Sequence, residues 1–172
     1  MPAEELYAVD AAMPDFAGDF SSPAILTAVR YYGWRTDGGG AGAAAYASLQ
    51  LDAAWAGLWA YPTDPRQCDA VAIYLDRSES LGSEATAAAV EGLNAVVNEL
   101  APSVVAWYAR YRLAEYYRSP LHPDAALARA HYAALVNDRA RGSVEAAAAD
   151  ESLPAELREE LAYAHGVVLL MA

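Results

Sequence analysis

The chain has 172 residues, of which 56% are hydrophobic and 20% charged, and its formal net charge at pH 7 is −12. It is long enough to bury a core and too hydrophobic for an intrinsically disordered chain. The acidic balance argues against a protein that grips nucleic acid or docks on an anionic membrane, because both depend on Lys and Arg. Cys68 is the single cysteine, which excludes an intramolecular disulfide and a cysteine-based zinc site.

Helix-start signals mark the elements of the first sixty residues. Pro2 with the acids that follow it predicts a short helix over 2–12, and Ser22-Pro23 predicts a second helix to about residue 35. A glycine-rich break then precedes an alanine-rich helix over 41–61. Its length suits a bilayer, but the polar Gln50 and Asp52 in its middle favour a buried helix of a soluble bundle. The start of the chain lacks a basic region followed by an apolar run, so no signal peptide is predicted.

The stretch 66–80 is compatible with two structures. Cys68, Val71 and Leu75 fall at helical spacing, whereas Val71, Ile73 and Leu75 alternate as in a strand. A preceding Asp-Pro pair favours helix, and Gly82 would end it, but a short strand stays open.

Three further helix starts follow in the second half. A helix from Ser83 should reach a boundary or kink at Ala101-Pro102. His122-Pro123-Asp124 predicts a helix that ends at Gly142, and Pro154 opens the last helix. With no strand–helix alternation, the pattern predicts an all-α bundle of about seven to nine helices with irregular loops. We expect a single domain over 1–165 and an apolar C-terminal tail over 166–172.

Catalytic, metal and cofactor signatures are weak throughout. None of His122, His131 and His165 has an acid three residues before it, as a binuclear metal site in a helical bundle would need. Cys68 lies among apolar residues and is predicted to be a core residue rather than a nucleophile. The run GGGAGAAA at 38–45 lacks the preceding strand of a dinucleotide site, so it is predicted to be a turn. We therefore expect no catalytic, metal or cofactor residues.

The densest aromatic stretch is AWYARYRLAEYY, residues 106–117, with five aromatic residues and two arginines. Spacings of three and four residues join a seam across Pro102, which predicts a core position for its members: Leu93, Val97, Leu100, Val104, Trp107, Tyr111 and Ala114. A second stripe of Tyr108, Arg112 and Tyr116, followed by Arg118, is left over. Because Tyr and Arg are enriched at protein–protein interfaces, this stripe is predicted to contact another subunit unless its first three residues are all buried in one chain.

The stretch 101–144 resembles the C-terminal helix pair of tailed-phage head–tail connector (adaptor) proteins. The matching features are a proline that opens a helix (Pro102), an "ARYRL" segment (109–113), an acid-rich restart (Asp124), a "Y-x-x-A-L"-like helix (132–135) and a closing glycine (Gly142). The segments AMPDFAGDFSSPAILTAVRYYGW and AAAYASLQLDAAW are similar to connector openings, so that the resemblance covers most of residues 12–144.

The resemblance implies an all-α structural protein without catalytic residues or cofactors. It would form a ring, usually of twelve copies, between the portal and the tail in the neck of the virion after synthesis in the host cytoplasm. Double-stranded DNA would pass through the ring without sequence-specific binding, with no membrane involved, and an acidic lumen would let it slide. The apolar tail, with Val168, Leu169 and Leu170, would dock on a neighbour or on the portal.

Two other interpretations remain open. The chain could be a cytosolic all-α module that binds a partner protein through its aromatic stripe. It could also be a small helical enzyme or ligand-binding protein that uses His131, Tyr132 and nearby acids in a bundle pocket.

Overall fold

The computed structural model describes residues 21–40 and 42–171, which form eight helices and no strand. The all-α prediction is therefore confirmed for this part of the chain, and the predicted helix over 2–12 lies outside the described residues. In chain order the helices are α1 (Ser22–Asp37), α2 (Ala43–Ala60), α3 (Gln67–Leu81), α4 (Ser83–Glu99), α5 (Val104–Arg118), α6 (Ala125–Val136), α7 (Arg141–Ala149) and α8 (Ala155–Met171).

Consecutive helices pack on one another from α1 to α6, and α7 packs on α8. One contiguous core of buried apolar residues draws on all eight of these helices. None of them is long and apolar enough to cross a membrane, including α2, whose length raised that question.

Side-chain hydrogen bonds cap the starts of α5 and α6. Ser103 caps α5 by accepting a hydrogen bond from the Ala106 amide at 3.1 Å. Asp124 caps α6 through the amides of Ala126 and Leu127. Such caps satisfy amides that have no partner inside the helix, and each contributes about 1 kcal/mol. The boundary predicted at Ala101-Pro102 is confirmed, since α4 ends at Glu99 and α5 begins at Val104.

The ambiguous stretch 66–80 is helical. Cys68, Val71 and Leu75 are buried along one face of α3, which is the three-and-four spacing rather than the alternation of a strand. Gly82 ends α3 with a φ of 111°, in the region where only glycine is unstrained. This single residue separates α3 from α4.

Helix α5 is the central element of the fold, which explains the aromatic density of residues 106–117. It packs against α3, α4, α6, α7 and α8, so almost its whole circumference faces other helices. Trp107 and Tyr111 are buried as predicted, at 0% and 3% exposure. The remaining aromatic residues fill the other sides of the same helix, since a helix that is apolar all round is a buried one.

Two boundaries in the C-terminal part differ from the prediction. The helix that begins after Asp124 ends at Val136, not at Gly142, and Gly142 lies inside α7. Asn137 and Asp138 interrupt it, and the Asp138 carboxylate accepts a hydrogen bond from the Ala140 amide at 2.8 Å. Asn and Asp favour such turns because their side chains bond the backbone two residues ahead.

The expected apolar tail over 166–172 is not separate from the last helix. α8 continues through Gly166 to Met171, and Val168 lies in the core. Burial on the face shared with Leu157, Leu161 and Ala164 outweighs the cost of about 1 kcal/mol for a glycine inside a helix.

Candidate functional site

The second stripe of α5 is engaged inside the chain. Tyr108 is 1% exposed, and its hydroxyl donates to Glu160 of α8 at 2.8 Å. Arg112 pairs with Asp76 of α3 at 2.6 Å, and the half-buried Tyr116 stacks on His122 with ring centroids 4.3 Å apart. These contacts tie α5 to α3, α8 and the loop that precedes α6.

The predicted interface residues therefore fall into two groups. Tyr108 and Val168 are buried, so neither offers a side chain to another subunit, because α5 and α8 turn those faces into the core. Arg118 is exposed and pairs with Glu115 at 2.5 Å, while Leu169 and Leu170 are 53% and 86% exposed. A subunit contact through these three exposed residues, together with Arg112 and Tyr116, stays a prediction.

Buried tyrosines line the polar part of the core around α5. Burial raises the pKa values of Tyr108, Tyr111 and Tyr132 well above the ordinary 10.0, and nearby carboxylates of Glu115 and Glu160 add to the effect. The Tyr132 hydroxyl donates to Glu115. Tyr108 and Tyr132 are therefore neutral hydrogen-bond donors at pH 7.

The residues of the enzyme hypothesis do not converge on a common reaction centre. Tyr132 points to Glu115 on α5, whereas His131 stacks on Tyr117 with ring centroids 5.7 Å apart. Burial lowers the pKa of His131, and the charge of Arg110 lowers it further. Cys68 is 1% exposed, and burial raises the pKa of its thiol well above the usual value, which disfavours a nucleophilic thiolate. No group of metal-ligating side chains occurs among residues 21–40 and 42–171.

A cleft of about 450 Å³ opens between α1, α2 and α3. Trp34 stands at its rim with 69% exposure. Gln50 forms its floor, donating to the Val29 carbonyl at 3.0 Å and accepting from Arg77 at 2.8 Å. Gly33 permits this arrangement, because a Cβ there would collide with the Gln50 amide.

A second concave surface, the α2/α4 groove, lies above α3. It has a volume of about 270 Å³, and its lining residues come from α2 (Leu51, Asp52, Trp55), α3 (Tyr74, Ser78) and α4 (Ala85, Ala88). The rings of Trp55 and Tyr74 are 5.5 Å apart and tilted by 30°, and Gly92 leaves room for both. Neither α2 nor α4 contains a basic residue, so the groove is aromatic and acidic.

The C-terminal half of α8 exposes four large apolar side chains, here called the α8 patch: Tyr163, Leu169, Leu170 and Met171. Their exposure is 61%, 53%, 86% and 44%. Residues 161–171 contain no Asp, Glu, Lys or Arg. Exposed apolar side chains grouped on an uncharged helix end are typical of a surface that another molecule covers.

The sequence pattern identified only part of these surfaces. Leu169 and Leu170 were predicted as contact residues of an apolar tail, but Trp34, Trp55 and Tyr163 were not singled out, since an aromatic residue in an apolar helix is usually core. Comparison with protein-family models, with curated proteins and with solved structures finds no match to this chain.

Proposed function

We propose that the chain is a structural subunit that assembles into a ring, as a head–tail connector of a tailed phage or phage-like particle. The observation that carries the proposal is the α8 patch. Four large apolar side chains lie exposed on a helix end without charges, in a chain whose net charge is −12. Charge repulsion opposes the association of such chains, so a neutral apolar surface is where copies or neck partners can meet.

The all-helical fold and the resemblance of residues 12–144 to connector proteins support the same proposal. In this function the protein performs no chemistry. Its ordered core, built around α5, would hold the contact surfaces in fixed relative positions, so that repeated contacts close into a ring. The portal and tail proteins would then bind the two sides of the ring, and DNA would pass through its centre.

The test compares the masses of the wild-type chain and of a Leu169→Gln/Leu170→Gln variant by light scattering over a range of concentrations. We expect the wild type to form rings of about ten to thirteen chains, visible by negative-stain imaging with an open centre, and the variant to dissociate. Leu81→Gln is the matched control, because Leu81 is also exposed, at 45%, but lies at the end of α3. A wild-type chain that stays monomeric at every concentration contradicts the ring.

A protein-binding module is the second candidate, favoured by the cleft at Trp34. A tryptophan exposed at the rim of a cleft is typical of the anchor residues of protein interfaces. The immobilised wild-type chain should then bind a partner from the native host more strongly than an immobilised Trp34→Ala variant does. The ring function instead predicts that the two chains assemble alike.

A further inference from the structure

The α2/α4 groove has the chemistry of a site for an arginine side chain. Trp55 and Tyr74 line it with aromatic rings, and Asp52 lies in the same wall. Glu84 and Glu91 are exposed on the adjoining α4. A guanidinium placed over an aromatic ring beside a carboxylate gains both a cation–π contact and an ion pair.

Helix α6 has the complementary surface. Its outward residues Ala126, Ala130 and Ala133 are exposed and small, and the helix contains no acid. Arg129 is exposed on the same helix and forms no ion pair with any described residue. An alanine face lets a helix approach its neighbours closely, within the usual 8–10 Å between axes.

These two surfaces do not meet within one chain. α6 packs on α5 and α8, whereas α2 packs on α1 and α3. The two surfaces are different and complementary, as a head-to-tail contact requires. Head-to-tail contacts close into a ring when the rotation between neighbouring copies brings the last copy back to the first.

We propose that α6 of one copy packs into the α2/α4 groove of the next copy, with Arg129 against Trp55 and Asp52. The inference rests on the proposed ring and names the contact that propagates it. The occupant is a second copy of this chain, since charge complementarity is present on its own surface: a helix without acids faces a groove without bases. Met171 of the α8 patch lines the same pocket as Arg129, so the patch adjoins the α6 contact and adds apolar surface to it.

The test uses charge reversal on both sides of the contact. Asp52→Arg places two cations against each other, and Arg129→Asp places two acids against each other, so either variant alone should weaken association at least about tenfold. Glu151→Arg and Arg139→Asp are matched controls with the same charge changes at exposed sites elsewhere, and they should assemble as the wild type does. All four chains should melt as the wild type does, because the altered side chains are exposed.

A mixture of the two charge-reversal variants gives the decisive experiment. In an equimolar mixture of the Asp52→Arg and Arg129→Asp chains, every contact between unlike copies pairs opposite charges, so the mixture should assemble into rings of alternating copies. Native mass spectrometry would show equal numbers of the two chains. A mixture that stays dissociated overturns the contact.

The outcomes separate this inference from the proposed function. If the wild type forms rings and both single-reversal variants still form them, the α6 contact is refuted and the proposed ring stands. Loss of rings with Asp52→Arg but not with Arg129→Asp refutes α6 as the occupant of the groove. A wild-type chain that never assembles refutes the ring itself, and this contact with it.

Discussion

The position of Tyr108 leads to the most direct prediction about stability. Its ring is buried in the core around α5, and its hydroxyl oxygen lies 2.8 Å from a carboxylate oxygen of Glu160. Tyr108→Ala removes a whole buried ring, for which the expected loss in the free energy of unfolding is about 3–5 kcal/mol. Tyr108→Phe keeps the ring but leaves the Glu160 carboxylate without its donor, at a cost of about 1–3 kcal/mol.

The assay is urea unfolding followed by far-UV circular dichroism at one protein concentration. A loss of 3–5 kcal/mol lowers the midpoint by roughly 1–5 M urea for typical slopes of unfolding. Trp34→Ala is the control, because it removes a larger aromatic side chain that is 69% exposed, and it should change stability by no more than about 0.5 kcal/mol. If Tyr108→Ala were no more destabilising than this control, Tyr108 would not be a core residue, and the subunit contact first expected for it would regain support.

Three further predictions concern packing and pH. Gly57→Ala should destabilise the fold by about 1–3 kcal/mol, because the new Cβ would lie 3.0 Å from Ile25 and closer still to the Gln67 side chain. Gly166→Ala is the control: its new Cβ has no atom within 4 Å, so it should stabilise the fold by up to about 1 kcal/mol. If both substitutions changed the melting temperature equally, the packing of α1 and α3 against α2 would be contradicted. Because burial lowers the pKa of His131 from 6.5, its contribution to stability is complete above about pH 6.5 and is lost as the pH falls, since the unfolded chain binds the proton more readily. The melting temperature should then fall less on acidification in a His131→Phe variant than in the wild type, and an identical fall in both would show that His131 is not buried. Finally, the tyrosines with pKa values raised above 10.0 by burial, Tyr108, Tyr111 and Tyr132, should make stability fall as the pH rises above about 10, and ultraviolet titration should show at least three of the twelve tyrosines ionising only on unfolding.

Some helix boundaries could be predicted because they depend on local chemistry. Asp124 caps α6 through its own side chain, and Gly82 ends α3 with a positive φ. The burial of Leu93, Val97 and Trp107 could also be predicted. A spacing of three and four residues marks the buried face of a helix whatever that face packs against.

The remaining features depend on tertiary packing. The sequence of α5 shows two stripes, but only its central position among five other helices explains why Tyr108 is buried as well as Trp107. The break after Val136 had one local signal, the Asn137-Asp138 pair, which the prediction of a helix as far as Gly142 did not use. The α2/α4 groove combines residues of three helices, and no spacing along the chain brings Asp52 and Tyr74 together.

The central claim is that this chain assembles head to tail into a closed ring. Native mass spectrometry of the wild-type chain, combined with negative-stain imaging of the same sample, tests it most directly. The account predicts one dominant species of about ten to thirteen chains with an open centre. A chain that remains monomeric, or stops at a two-fold symmetric dimer, would contradict it.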